Sequence, residues 1–135
     1  MFNVSINWWL VVGITVAAWI VSFLWFVVIF GKAYMAGHGR TKAQLDAGPS
    51  MPVASLYQLI GTFIQISVLA WLVTSAGASS LAEGALLGLL VWLGFIAAYI
   101  APMYMFQAYS LKYLAIVIGY PLVALLIAGT ILAIQ

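Results

Sequence analysis

Four long apolar runs, separated by short polar segments, make up most of this chain. Each run exceeds the roughly 20 residues that an α-helix needs to cross the hydrocarbon core of a bilayer. Because lipid offers no hydrogen bonds to an open backbone, such runs are expected to be helical throughout. The pattern therefore predicts four spanning helices, at about residues 8–30, 53–76, 83–106 and 112–134.

The composition agrees with this interpretation. Of 135 residues, 67% are hydrophobic and 4% are charged, whereas soluble domains carry about a quarter charged residues. The chain also contains no cysteine, which excludes disulfides and thiolate chemistry. We therefore expect an all-α membrane protein with a single transmembrane domain over residues 1–135, a four-helix bundle of two helical hairpins without a soluble catalytic domain.

Basic residues concentrate in the connections that follow the first and third spans. Lys32, Arg40 and Lys42 lie in the polar segment 31–52, and Lys112 lies in the third connection. With four spans these two connections share one side, and lysine and arginine favour the cytoplasmic side. The sequence therefore predicts that both termini face outward (N-out/C-out). Lys32, Arg40 and Lys42 are also candidate contacts for anionic lipid head groups, whereas nothing in this charge pattern indicates nucleic acid.

The basic segment 31–52 is predicted to be mainly a loop with one short helical turn. Three glycines are expected to break the helix there, namely Gly31, Gly37 and Gly39. Thr41 and Gln44 have the spacing of a capping box, which predicts a turn through about Asp46 at the membrane surface. Pro52 then suits the first turn of the second span.

The second span carries a stripe of neutral polar residues. Ser55, Gln58, Thr62 and Gln65 are spaced three, four and three residues apart, so they share one helical face, and Gly61 lies beside it. One interpretation is a hydrated path for a small neutral solute or ion. The other is a packed seam, in which each glutamine contributes about 0.6 kcal/mol through bonds between helices. The lack of ionisable groups on the stripe argues against proton pumping.

A second candidate surface opens the third span. Gly84 and Gly88 have the small-xxx-small spacing at which helix backbones approach closely in lipid. We interpret them as a helix-packing face. Together with the polar stripe, this face offers more packing surface than one small bundle readily uses, which motivates a homo-oligomer as a hypothesis.

Few side chains could carry catalysis or hold a cofactor. Glu83 could be a proton or cation site at membrane depth, but Ser80 and Glu83 have capping-box spacing, which is the preferred interpretation. His38 is the single histidine, and without cysteine it cannot supply a haem or zinc site within one protomer. No nucleophile and base stand at a productive spacing. We therefore expect no catalytic residue, no metal, no cofactor and no enzymatic activity.

Several short motifs give the chain a family resemblance. They are Trp25-Phe26, the run Phe30–Met35, Gly39-x-Thr41, Leu45-Asp46, Gly84–Gly88, Val91–Phe95 and Gly119-Tyr120. In combination they resemble domain-of-unknown-function family 1761, a family of small bacterial four-span membrane proteins, although Tyr34 stands where tryptophan is more typical. The resemblance implies a multi-pass protein of the bacterial cytoplasmic (inner) membrane, and it supplies no reaction or ligand.

Two functional interpretations follow from these observations. The first is a non-catalytic structural or accessory helix bundle whose partners include membrane lipids. The alternative is a permeation unit for a small solute or ion that uses the polar stripe of the second span. The sequence identifies neither a solute nor a protein partner.

Overall fold

The computed structural model describes residues 3–135, and no β-strand occurs within that range. Seven α-helices alternate with two segments of wider π-helix. Their bounds are α1 Trp8–Phe23, π1 Leu24–Ile29, α2 Gly31–His38, α3 Lys42–Asp46, α4 Met51–Ser75, α5 Leu81–Val91, π2 Trp92–Ala97, α6 Ala98–Phe106 and α7 Leu111–Ile134. The chain is therefore all-helical across the part that the structure describes.

Within residues 3–135, four continuous helical segments are long and apolar enough to cross a membrane. They are Trp8–Ile29, Met51–Ser75, Leu81–Phe106 and Leu111–Ile134. These bounds differ from the four predicted spans by no more than two residues at either end. The first span comprises α1 and π1, and the third comprises α5, π2 and α6.

Local hydrogen bonds define where the third span begins. The Ser80 side chain accepts a hydrogen bond from the backbone of Glu83, and the Glu83 carboxylate accepts from the backbone N–H groups of Ser79 and Ser80 at 2.8 and 3.2 Å. This is a complete capping box, which satisfies backbone donors that a helix start leaves unpaired. Glu83 therefore has a structural role at the exposed start of α5.

The basic segment between the first two spans is more helical than predicted. The predicted capping box at Thr41 and Gln44 is present and starts α3. The helix of the first span ends just before Gly31, where α2 begins, but α2 runs through Gly37, so the prediction that Gly37 breaks the helix is wrong. Gly37 instead makes room for a close contact, because a Cβ there would lie 2.4 Å from a ring carbon of Tyr113. The helix ends at Gly39, whose left-handed φ of 65° suits glycine.

Helices α5 and α7 pack almost backbone to backbone. A Cβ added to Gly84 would lie 2.2 Å from the carbonyl oxygen of Gly129, and one added to Gly88 would lie 2.2 Å from that of Leu125. Both glycines of α5 are buried. The candidate packing face at Gly84 and Gly88 is therefore occupied inside the protomer, and it no longer motivates an interface between copies.

Helix α7 lies at the centre of the structure and contacts α1, α2, α4, α5 and α6. The main core consists of apolar residues from α1, α4 and α7. They are Val11, Ile14, Ile66, Leu69, Ala70, Val73, Leu125, Ala128, Leu132 and Ala133. In α4 these positions belong to the second half of the helix, so the first half of α4 lies outside this core.

The two π-helical segments hold α7 near Pro121. Proline has no N–H and leaves the carbonyl four residues earlier without its helical donor. The indole of Trp25 in π1 donates to the carbonyl of Ile116 at 2.9 Å, and the indole of Trp92 in π2 donates to that of Ile118 at 2.7 Å. Since residues turn about 100° each in a helix, these two carbonyls face nearly opposite sides of α7. The first and third spans therefore hold α7 between them.

Two further contacts complete this arrangement. The hydroxyl of Tyr120 donates to the carbonyl of Ala18 in α1 at 2.6 Å. At Gly119 the lack of a side chain admits the Trp25 ring, because a Cβ there would lie 3.1 Å from it. The sequence pattern predicts neither of the two π-helical segments.

The close approach of α5 and α7 generates a stability prediction. Gly84→Ala should lower the free energy of unfolding by about 1–3 kcal/mol, because the new methyl group meets backbone that cannot rotate away. Thermal unfolding in detergent measures this loss. Gly13→Ala is the matched control, since a Cβ at Gly13 in α1 has nothing within 4 Å. Equal stability of the two variants would contradict the packing described here.

Candidate functional site

A polar groove runs along the outer side of the first half of α4. Its volume is about 580 Å³, and its lining residues are Pro49, Ala54, Tyr57, Gln58, Gly61, Thr62 and Gln65. Gln65 lies about 21 Å along α4 from Met51, at 1.5 Å per residue. The groove therefore extends from the end of α4 next to the basic segment to about the middle of the helix. We call it the α4 groove.

The four residues of the predicted stripe do not all face this groove. Thr62 is only 6% exposed and donates to the carbonyl of Gln58 at 2.7 Å. Ser55 is absent from the lining, and its carbonyl accepts from the indole of Trp19 at 3.2 Å. The structure thus brings Gln58, Thr62 and Gln65 into one groove, while Ser55 belongs to the contact between α4 and α1.

The two glutamines supply most of the hydrogen-bonding capacity of the groove. Each amide carries two N–H donors and one carbonyl acceptor. Gln58 makes one long contact, from its amide nitrogen to the Thr62 hydroxyl at 3.4 Å, and the Gln65 side chain bonds to no other residue within the described range 3–135. No lining residue is charged. The α4 groove therefore suits a neutral partner that both donates and accepts hydrogen bonds.

The sequence predicts the amides of this groove but not the residues that line its other sides. Tyr57 is 71% exposed and contributes an aromatic side of the groove. Pro49 closes the end that lies before α4 begins. Tyr57 and Pro49 line the groove because the first half of α4 extends beyond the core. No local sequence pattern predicts that extension.

The candidate lipid contacts lie together at one end of the molecule. Lys32, Arg40 and Lys42 are all exposed, on or beside α2 and α3. Helix α2 packs against the start of α7, where Lys112 is also exposed. The basic side chains of both connections are thus at the same end of the described structure.

A cluster of aromatic rings joins α2 to the start of α7. The rings of Tyr34 and Tyr113 stack with centroids 5.7 Å apart, and Tyr113 also lies 5.7 Å from Tyr104 and 4.8 Å from Tyr109. Tyr34 reaches the other three tyrosines from α2, a helix where the sequence predicts mainly a loop. His38 lies edge-on to Tyr34 at 5.4 Å.

His38 is held by its own helix end. Its Nδ1 accepts a hydrogen bond from the backbone of Arg40 at 2.9 Å, and its Nε2 lies 3.3 Å from the sulfur of Met35. Among residues 3–135, no three histidine, aspartate or glutamate side chains come together in a group that could hold a metal ion. The described residues therefore offer the α4 groove as the principal candidate site.

Comparison with known proteins assigns a family to this architecture. The family model described as "Protein of unknown function (DUF1761)" matches residues 9–133, nearly the whole chain. The match covers every motif that carried the resemblance in the sequence, which confirms that resemblance. No curated protein and no solved structure matches the chain.

Proposed function

The chain belongs to the DUF1761 family of proteins of unknown function, and we propose from its geometry that it is a non-catalytic structural or accessory component of a membrane. In this proposal the four spans form a bundle of two hairpins in the bacterial cytoplasmic (inner) membrane, in contact with lipid. The α4 groove is the surface through which the protein assembles.

This proposal rests on a single observation, the open amides of Gln58 and Gln65 in the α4 groove. Within the described residues, every buried side-chain nitrogen or oxygen has a hydrogen-bond partner, whereas the amides of Gln58 and Gln65 lie open on the outer side of α4. An amide exposed to hydrocarbon loses its hydrogen bonds to water, which costs roughly 4–8 kcal/mol on an alkane scale. A polar groove on an otherwise apolar span therefore requires a binding partner that shields its amides from lipid.

Permeation of a small neutral solute or ion is a second candidate. The groove favours it by its neutral polar lining and by its extension from the end of α4 to the middle of the helix. Past Gln65, however, the outward positions become apolar, and Val68 is 52% exposed. A continuous path would need polar groups across the whole span, so the geometry supports an assembly surface better than a conducting one.

The proposed orientation is N-out/C-out. The exposed cations Lys32, Arg40, Lys42 and Lys112 lie at one end of the structure, and connections rich in lysine and arginine favour the cytoplasmic side. The same cations are the proposed contacts for anionic lipid head groups, each contributing on the order of 1 kcal/mol near an anionic surface.

Reporter fusions test this orientation. A periplasmic reporter such as alkaline phosphatase, fused after Gln135 or after Gly77, should be active, whereas fusion after Arg40 should be inactive. Replacing Lys32, Arg40 and Lys42 together by glutamine should produce mixed orientation, because one cation would remain to bias insertion. An active reporter after Arg40 in the unaltered chain would contradict the proposed topology.

Substitution of the groove amides tests the assembly role. The double variant Gln58→Leu/Gln65→Leu should remain helical by circular dichroism but lose assembly, because each lost interhelical amide bond weakens association by about threefold at 0.6 kcal/mol. Sedimentation in mild detergent measures the assembled mass. Gln107→Leu is the matched control, since this exposed glutamine lies in the connection after α6, outside the groove.

The same variants separate the two candidate functions. Loss of solute flux from liposomes with the assembled mass unchanged would overturn the assembly role and favour permeation. No change in either assembly or flux would contradict both uses of the groove.

A further inference from the structure

We propose that the partner covering the α4 groove is a second copy of this chain, whose α4 lies parallel to the first and closes the groove from the other side. This inference rests on the proposed function, which requires only that some partner cover the groove. It adds the identity of that partner and the residues that meet.

The outward residues of α4 follow the spacing of a paired helix. Positions alternate by three and four residues along one face that is exposed or half-buried in the protomer. They are Met51, Ala54, Gln58, Gly61, Gln65 and Val68. A repeat that averages 3.5 residues keeps one face turned toward a parallel partner over several turns. We call these six positions the α4 seam, and the amides and the glycine of the groove belong to it.

The glycines within the spans differ in what a Cβ added to them would meet. Gly84, Gly88 and Gly129 are required within the protomer, because a Cβ at each would collide with backbone of the facing helix. Gly61 has nothing within 4 Å of its would-be Cβ, as is also true of Gly13 and Gly94, but Gly61 is the one of these three that lines the α4 groove beside the two amides. Glycine within a helix is less favourable than alanine, and no contact inside the protomer accounts for it here. A close approach by the backbone of another helix would explain glycine at this position.

The chemistry of the seam suits its own copy. Two copies inserted with the same topology are related by an axis along the membrane normal, so their α4 helices run parallel and each seam residue meets its equivalent. A charged stripe would then repel itself, but the α4 seam is neutral. Because an amide both donates and accepts, Gln58 can bond Gln58 of the partner subunit, and Gln65 can do the same.

The unused hydrogen-bonding groups of Gln58 and Gln65 also indicate a second copy as the partner. The Gln65 amide has no partner within residues 3–135, and Gln58 has only its 3.4 Å contact with Thr62. An acyl chain offers nothing to these groups, whereas the same four amides from two copies satisfy one another. The apolar ends of the seam, Met51 and Val68, would then pack against their equivalents on either side of the amides.

Disulfide trapping in native membranes tests the inference. The chain has no cysteine, so single cysteines can be placed without any other change. Ala54→Cys and Val68→Cys probe the seam while both glutamines and Gly61 stay in place. Leu56→Cys and Ile60→Cys are matched controls, because both residues of α4 are exposed, at 56% and 49%, but lie off the seam.

The expected result is a severalfold higher yield of disulfide-linked dimer at the two seam positions than at the two controls. Adding Gln58→Leu and Gln65→Leu to the Val68→Cys variant should lower that yield by about threefold for each amide bond lost. Equal yields at seam and control positions would overturn the inference, because they would indicate random collision.

No dimer at any seam position would also overturn the second copy as the occupant. If the leucine double variant still reduced the assembled mass in that case, the proposed assembly role would stand with a different partner. If it did not, the proposed function would fail together with the inference. The two failures are therefore distinguishable.

Discussion

A polar group inside hydrocarbon has no water to bond with, and this constraint organises the centre of the chain, where two indole N–H groups use backbone carbonyls of α7 as acceptors. Pro121 removes one donor in the middle of the last span. The indoles of Trp25 and Trp92 donate to the carbonyls on either side of the one that Pro121 leaves unpaired. Because these tryptophans lie in the first and third spans, the two hydrogen bonds fix both spans to α7. The last helix is thereby the element against which the others are positioned.

The same constraint gives the α4 groove its meaning. Buried polar side chains within the described residues are paired, and the glycines of α5 are matched to the backbone of α7. Gln58 and Gln65 depart from this pattern, because their amides face outward from the first half of α4, beyond the core. The two amides are thus open on the outer face of a protein whose buried polar side chains, among the described residues, all have partners. We therefore regard assembly in the membrane as the function that best fits the chain.

Local chemistry allowed much of the fold to be predicted from the sequence. The spans follow from apolar length, and the caps at Thr41 and at Ser80 follow from spacing alone. What depended on other helices could not be predicted. Thr62 and Gln58 are one helical turn apart on the same side of α4, yet one is buried and the other exposed, because Thr62 lies nearer to the core positions that begin at Ile66. The continuation of α2 through Gly37 likewise depends on the distant ring of Tyr113.

The mass of the assembly released from lipid tests the central claim most directly. Native mass spectrometry of the chain ejected from lipid nanodiscs reports its stoichiometry without detergent exchange. The account predicts a species at twice the 14.6 kDa of a single chain, with no second kind of protein bound. A single chain as the sole species, from nanodiscs large enough for two, would contradict it.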